Sequence, residues 1–458
     1  MADKIKTGCA GLDEVLYGGI PKNTISVIMG APGTGKTILA EQIAFHNATV
    51  DAPALYLTTM SEPLEKFIMH GQRYKFFDQE KVGTSVLYED LGLMLREQGI
   101  EKLPEIVTDL LTARHARFVF IDSFKALNEL IEQPQRRNLI FDLATVLSTY
   151  ECTSFLIGEY SEAMMTELPE FAIGDVVIQM LKLATNVREE RFLPVEKLRA
   201  SKSTPGLHAF SITSDGLELF PRLLTPPIVP NYTVRPERVN TGIQGLDEMI
   251  AEGFWRGTTT LVAGPPGSGK TIMALEFLRA GVSKGEPGIY LGFQENPTQL
   301  TRVMRNMKMP VEKLINDGFE IMYQSPVEMQ LDSIAARLFE RIRSGKVKRV
   351  VIDALGDLER ISVDRQRFSN VIYALTQWFA VENVTCFMTY ELTHLFEAHG
   401  ISDQQVSNMS DNLLLLRYQS GPDLKRTLRI IKTRGSAHDS HEHEIHITNE
   451  GLVIEAIR

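Results

Sequence analysis

Apolar residues along this chain fall into short continuous runs separated by stretches with helical spacing. Runs at 24–30 (TISVIMG), 54–59 (ALYLTT) and 117–122 (RFVFID) read as strands, as do those at 259–264 (TTLVAG), 288–293 (GIYLGF) and 349–353 (RVVID). After the first run of each set, apolar side chains recur at helical spacing: Ile38, Leu39, Ile43 and Ala44, then Ile272, Met273, Phe277 and Leu278. Near-continuous apolar strands alternating with helices predict an α/β fold, with a mainly parallel sheet covered by helices on both faces. The closing segments LRIIKTRG and HEIHITNEGLVIEAI read as a small β extension.

The two sets of elements are copies. TGCAGLD at Thr7 recurs as TGIQGLD at Thr241, and GAPGTGKT at Gly30 recurs as GPPGSGKT at Gly264. SEP at Ser61 likewise recurs as ENP at Glu295, and the shift is constant (241 − 7 = 264 − 30 = 295 − 61 = 234). Three landmarks in register mark a duplication. Between the copies, Pro221, Pro226, Pro227, Pro230 and Pro236 fix φ and remove amide donors, which suits an extended connector. The expected organisation is one domain at 1–222, a Pro-rich linker at 223–237 and a second domain at 238–458.

Composition narrows the class. A 43% hydrophobic and 23% charged content is that of a soluble globular protein. No apolar run is long enough to span a bilayer, and the start lacks a signal-peptide core, so the expected location is the cytoplasm. Cys9, Cys152 and Cys386 are too few and too scattered for a disulfide framework and read as buried free thiols. The net charge of −10 argues against nucleic acid as the main partner, although a ring channel can be locally basic in an acidic protein.

The chemistry resides in the glycine loops. G-x-x-x-x-G-K-[ST] is complete at Gly30–Thr37 and at Gly264–Thr271. Such a loop curls so that its amides face phosphate oxygens at the positive end of the next helix. The first cradle is Gly30, Gly33, Thr34, Gly35, Lys36, Thr37 and Ile38; the second is Gly264, Gly267, Ser268, Gly269, Lys270, Thr271 and Ile272. Lys36 and Lys270 are expected to hold the β- and γ-phosphates of ATP, and Thr37 and Thr271 to ligate Mg²⁺. Asp122 and Asp353, each ending an apolar strand, are expected to complete the metal sites.

Hydrolysis also needs a group that orients or deprotonates water. It is expected at the end of the strand beside the P-loop strand, where the copies offer Glu295 and Glu62. A helix-capping role is the alternative, because a Pro and a helical pattern follow each residue. Glu159 and Glu391 are second candidates, expected at the next strand end.

From residue 5 to 458 the chain resembles the KaiC family of tandem RecA-like P-loop ATPases. The resemblance is carried by TG-x-x-GLDEVLYGGIP and TG-x-x-GLDEMIAEGF before the two loops, and by Lys432-Thr-Arg434-Gly-Ser-x-His438 near the end, with Lys197-Leu-Arg199 as a shorter first-copy match. It implies homo-hexameric rings binding ATP and ADP at subunit interfaces, with Lys432 and Arg434 reaching a neighbour's nucleotide and Lys197 and Arg199 matching them. Cation charge aimed at the γ-phosphate is what the transition state requires. A KaiB-like or other signalling partner is implied as well.

Three departures qualify the resemblance. The family places two adjacent glutamates where this chain has Gln294-Glu295 and Met60-Ser61, so base catalysis by Glu62 does not carry over directly. The family's Ser-Thr phosphorylation pair is matched here by Ser407-Asn408. Autophosphorylation at Ser407, with Ser402 as a second acceptor, stands beside a reading of the stretch as a polar loop with helix-capping serines. The chain ends at Arg458, before the tail that receives the clock protein's stimulatory partner, and regulation by that partner is not expected.

The cluster His438, His441, His443 and His446 also suggests a metal, but strand alternation should separate His441 and His443 from His446. The resulting expectation is a ring ATPase with serine autokinase activity that acts as a slow switch or signalling module. A RecA-like DNA-dependent ATPase and a nucleotide-gated scaffold are the alternatives, since one P-loop core serves all three.

Overall fold

The computed structural model describes residues 3–59, 64–131, 133–184, 189–227, 236–325, 330–392, 410–420 and 423–457. Glu62, Ser402 and Ser407 lie outside the described residues. The chain divides into two compact units, Met1–Arg222 and Leu223–Arg458.

In the first unit, five parallel neighbours lead outward from the strand Val176–Ala184. They are Ile25–Gly30, Thr153–Gly158, Phe118–Asp122, Ala54–Thr58 and, at the edge, Val86–Asp90. On the other side, Glu189–Leu193, His208–Thr213 and Gly216–Phe220 continue the same sheet antiparallel. The second unit repeats this order: Phe319–Tyr323, Gly288–Gly292, Arg349–Asp353, Thr385–Glu391, Thr259–Gly264 and Asn412–Gln419 are parallel. Its antiparallel end is Lys425–Thr433, His443–Thr448 and Gly451–Ala456. The closing β segments are therefore part of the main sheet.

Each apolar strand feeds two cores because successive side chains point to opposite faces. In Phe118–Asp122, Phe118 and Phe120 join the face covered by the helix Lys36–Asn47, while Val119 and Ile121 join the face covered by Leu103–Arg114 and Gln133–Thr149. In Arg349–Asp353, Val351 faces the helix Lys270–Val282, and Val350 and Ile352 face Leu331–Gly345 and Arg365–Glu382. Burial on both faces is why these strands read as unbroken apolar runs.

The repeated TG-x-x-GLD segment has a structural purpose. Asp13 Oδ1 accepts from the Thr7 amide at 2.8 Å and from its hydroxyl at 3.0 Å, and Asp247 Oδ1 does the same for Thr241 at 2.7 and 2.8 Å. All three cysteines are buried and unpaired. Among the described residues, no helix is long and apolar enough to cross a membrane.

Candidate nucleotide sites

The P-loops close the carboxyl ends of Ile25–Gly30 and Thr259–Gly264 and cap the helices that follow. Gly35 (φ +100°) and Gly269 (φ +103°) are left-handed at the N-cap positions, a backbone that an L side chain would strain. The turn aims the first amides of Lys36–Asn47 and Lys270–Val282 outward, at the positive ends of the helix dipoles. Thr34 is buried, its hydroxyl donating to Ala31 O at 2.9 Å, whereas the buried Ser268 Oγ has no hydrogen-bond partner among the described residues. Ile38 and Ile272 are half-buried on the helices' first turns.

The lysines lie over their loops. Lys36 Nζ donates to Ala31 O at 2.9 Å, and Lys270 Nζ donates to Gly264 O and Pro265 O at 2.9 and 2.8 Å. Both are largely buried, and burial pushes their ammonium groups below the ordinary lysine range, against the nearby carboxylates Glu159 and Asp122, or Glu391 and Asp353. A desolvated cation held mainly by loop carbonyls is well suited to phosphate oxygens, which restore its charge balance.

The strand-end aspartates meet the P-loop threonines. Thr37 Oγ1 donates to Asp122 Oδ2 at 2.8 Å, and Thr271 Oγ1 donates to Asp353 Oδ2 at 2.8 Å. A tyrosine on the adjacent strand donates to the same oxygen, Tyr56 OH at 3.0 Å and Tyr290 OH at 2.6 Å, and Thr389 Oγ1 donates to Asp353 Oδ1. Burial lifts the Asp122 carboxyl above its usual range, while its bonds from Thr37 and Tyr56 and the charge of Lys36 pull the other way. A divalent cation would shift that balance toward the carboxylate, so the donor set fits Mg²⁺. The tyrosines were not among the expected site residues, yet a signal existed: the 234-residue shift carries Tyr56 onto Tyr290.

A cleft of about 330 Å³ opens over the second loop, and Lys270, Thr271, Glu295, Asp353 and Glu391 all line it. Its strand order differs from expectation. The strand Gly288–Gly292, which leads to Glu295, is separated from the P-loop strand by Arg349–Asp353 and Thr385–Glu391. The neighbour of the P-loop strand ends in Glu391, paired in register with Gly264. Apolar runs encode burial but not pairing order, so the sequence misplaced that strand. Both carboxylates still reach the cleft. Helix capping belongs to Asn296, whose side chain takes the Gln299 amide at 3.0 Å in a capping box, which leaves Glu295 free to face the cleft. Burial, with the charge of Asp353 adding to it, raises the Glu295 carboxyl above its ordinary range.

Lys432 and Arg434 do not join this group. Lys432 pairs with Leu413, which pairs with Leu261, three residues before Gly264 and so about 10 Å back along the strand. Lys197 stands equivalently, paired with Val177 beside Val27. Arg434 lies near Asp411 at 3.6 Å, and Arg199 near Asp175 at 3.5 Å. In each unit this pair of cations lies at the opposite end of the sheet from that unit's P-loop. In the histidine-rich segment, His441 and His443 flank Asp439 at 2.6 and 3.6 Å, while His446 faces Glu455 at 3.9 Å. Among the described residues, no cluster of three or more metal-ligating side chains is present.

The family model for the ATPase KaiC matches residues 5–223 and again 239–458. The chain belongs to the KaiC ATPase family. It is 28% identical to the circadian clock oscillator protein KaiC of Picosynechococcus sp., over 98% of this chain and 89% of that protein. It is 27% identical to circadian clock oscillator protein KaiC 1 of Synechocystis sp. (98% and 88% covered) and to circadian clock protein KaiC3 of the same organism (99% and 92%). This KaiC-family chain is thus an ATPase with two P-loop domains of RecA-like α/β architecture.

Proposed function

We propose that this protein is a KaiC-like ring ATPase whose two sites are unequal, with the second carrying the faster hydrolysis. The observation that supports this most is the convergence of Lys270, the Thr271–Asp353 pair and Glu295 on one cleft. Lys270 holds the γ-phosphate, and Thr271 and Asp353 hold Mg²⁺, which when bound neutralises phosphate charge. Glu295 orients and deprotonates the attacking water. In the first unit Lys36, Thr37 and Asp122 hold nucleotide and metal, with Glu62 the corresponding catalytic group. Residues 1–222 and 238–458 act as the two ATPase units, joined by the connector at 223–237. Hexamer formation brings Lys432 and Arg434 to a neighbour's phosphates, with Lys197 and Arg199 serving the first sites. Ser407, with Ser402 second, accepts phosphate in a slow cytoplasmic switch that signals to a KaiB-like protein partner.

Incubation with γ-labelled ATP tests this reading. Release of label is expected to fall severely in Lys270→Ala and more weakly in Lys36→Ala, and protein-bound label is expected to vanish in Ser407→Ala. Unchanged release in Lys270→Ala would sink the assignment of the second site. Absence of protein label, together with turnover strongly raised by single-stranded DNA, would favour a DNA-dependent ATPase.

A further inference from the structure

Beside the second catalytic corner lies a polar pair that neither phosphate nor metal binding requires. Gln294, on the cleft wall, donates from Nε2 to Asp357 Oδ2 at 3.0 Å. Asp357 belongs to the helix Leu355–Ile361, which begins two residues after Asp353, and its side chain is only 4% exposed. Its other oxygen accepts from Arg360 Nη1 at 3.1 Å. A buried carboxylate is costly unless its lone pairs are filled, and here one partner is a cation and the other an amide. The polarity of the second bond is set by chemistry. An ionised carboxylate only accepts, so residue 294 must present N–H, and a glutamate there would put two carboxylates face to face.

The same loop is pinned on its far side. Asn296 makes the capping box of the helix Pro297–Asn306, so Glu295 lies between two anchored neighbours. The first unit lacks both members of the pair. Aligning Asp122 with Asp353 sets Ala126 against Asp357 (126 − 122 = 357 − 353 = 4), and the 234-residue shift sets Met60 against Gln294. The helix itself is retained as Phe124–Leu130. Two copies of one fold thus keep the pair together or lose it together.

We propose that Asp357 is a positioning residue of the second ATP site, holding the Gln294-Glu295 loop through the Gln294 side chain so that Glu295 faces the attacking water. This rests on the assignment of Glu295 as the water-orienting group, and it names a structural source for the inequality of the two sites. A loop held from both sides keeps a reacting group in its productive geometry, and small misplacements cost rate far more than binding.

The test uses full-length protein, steady-state ATP turnover and a polarity swap. First-site background comes from Lys270→Ala and is subtracted. Asp357→Ala and Gln294→Glu are each expected to lower second-site kcat by about tenfold while KM stays within about twofold. The double variant Gln294→Glu, Asp357→Asn reverses donor and acceptor, and is expected to return kcat to within about threefold of wild type. Wild-type kcat in Asp357→Ala, or a double variant no faster than Gln294→Glu alone, would overturn the proposal. The swap decides the matter even if Asp357→Ala unfolds. Glu295→Gln runs in parallel: full activity there removes the underlying catalytic assignment, whereas a dead Glu295→Gln beside an active Asp357→Ala removes only the positioning role.

Discussion

Two glutamates with raised carboxyl pKa values do opposite things in this molecule. Glu295 lines a cleft, and its elevation comes from burial with Asp353 adding to it. If it acts as the proposed base it must be ionised, so second-site kcat is expected to fall as pH drops through the raised pKa, above the 4.5 of an ordinary glutamate. Glu295→Gln should lower turnover by at least about 10²-fold and remove that acid limb, as pH–rate profiles would reveal. Glu41 is enclosed in the first P-loop helix, its Oε1 without a hydrogen-bond partner among the described residues, and burial followed by the charge of Asp122 pushes its carboxyl up to about 8. Between its ordinary value and about 8, the unfolded chain releases a proton that the fold retains. Stability of the first unit therefore falls as pH rises through that window. Glu41→Gln is expected to gain on the order of 2–4 kcal/mol at pH 8 relative to its effect at pH 5, measured by urea unfolding at both. An equal effect at the two pH values would contradict the buried, protonated carboxyl.

Single elements were the most legible part of this sequence, and their pairings the least. Strand runs, P-loop helices and the duplication all depend on local apolar spacing or on a constant shift, so they could be read directly. Pairings depend on contacts distant in sequence. That is why Glu391, rather than Glu295, proved to end the neighbour of the P-loop strand, and why Asp357 gave no signal at all. The same holds for the start of the strand Arg349–Asp353. Arg349, 1% exposed, donates to Glu286 Oε2 at 2.7 Å and to the carbonyls of Asn240 and Phe277 at 2.9 and 2.8 Å. Glu286 also binds Arg256, which reaches Glu237 at 2.8 Å. The repeat shift places Ala52 opposite Glu286 and Lys22 opposite Arg256, so no copy in the first unit pointed to this network. It ties the entry segment of the second unit to its sheet. Glu286→Gln removes the carboxylate that Arg349 and Arg256 share, and should destabilise that unit by about 3 kcal/mol in denaturant unfolding. A loss below about 1 kcal/mol would mean the arginines find other partners.

At the scale of the whole molecule, the placement of Lys432 and Arg434 bears on the proposal that each second site is completed by a neighbouring chain. Both lie at the end of the sheet away from their own P-loop, and burial, with the charge of Arg434 adding to it, pushes the Lys432 ammonium down while Asp411 pulls the other way. If they act on a neighbour's nucleotide, a productive second site combines the Lys270 of one copy with the Lys432 and Arg434 of the next. A closed ring with a heterologous interface permits that combination in every subunit. Two defective proteins should then complement each other. Chains carrying Lys432→Ala with Arg434→Ala, and chains carrying Lys270→Ala, are each expected to lose second-site turnover when assembled alone. In rings formed from an equal mixture, half the sites have an intact loop and half of those face intact cations. Activity is therefore expected to return to roughly a quarter of wild type, provided subunits mix at random. Native mass measurement of the mixed rings confirms the mixing independently of activity. If randomly mixed rings stay inactive, both sets of residues belong to one chain's site, and the cations reach their own nucleotide only by a large rearrangement of the sheet end.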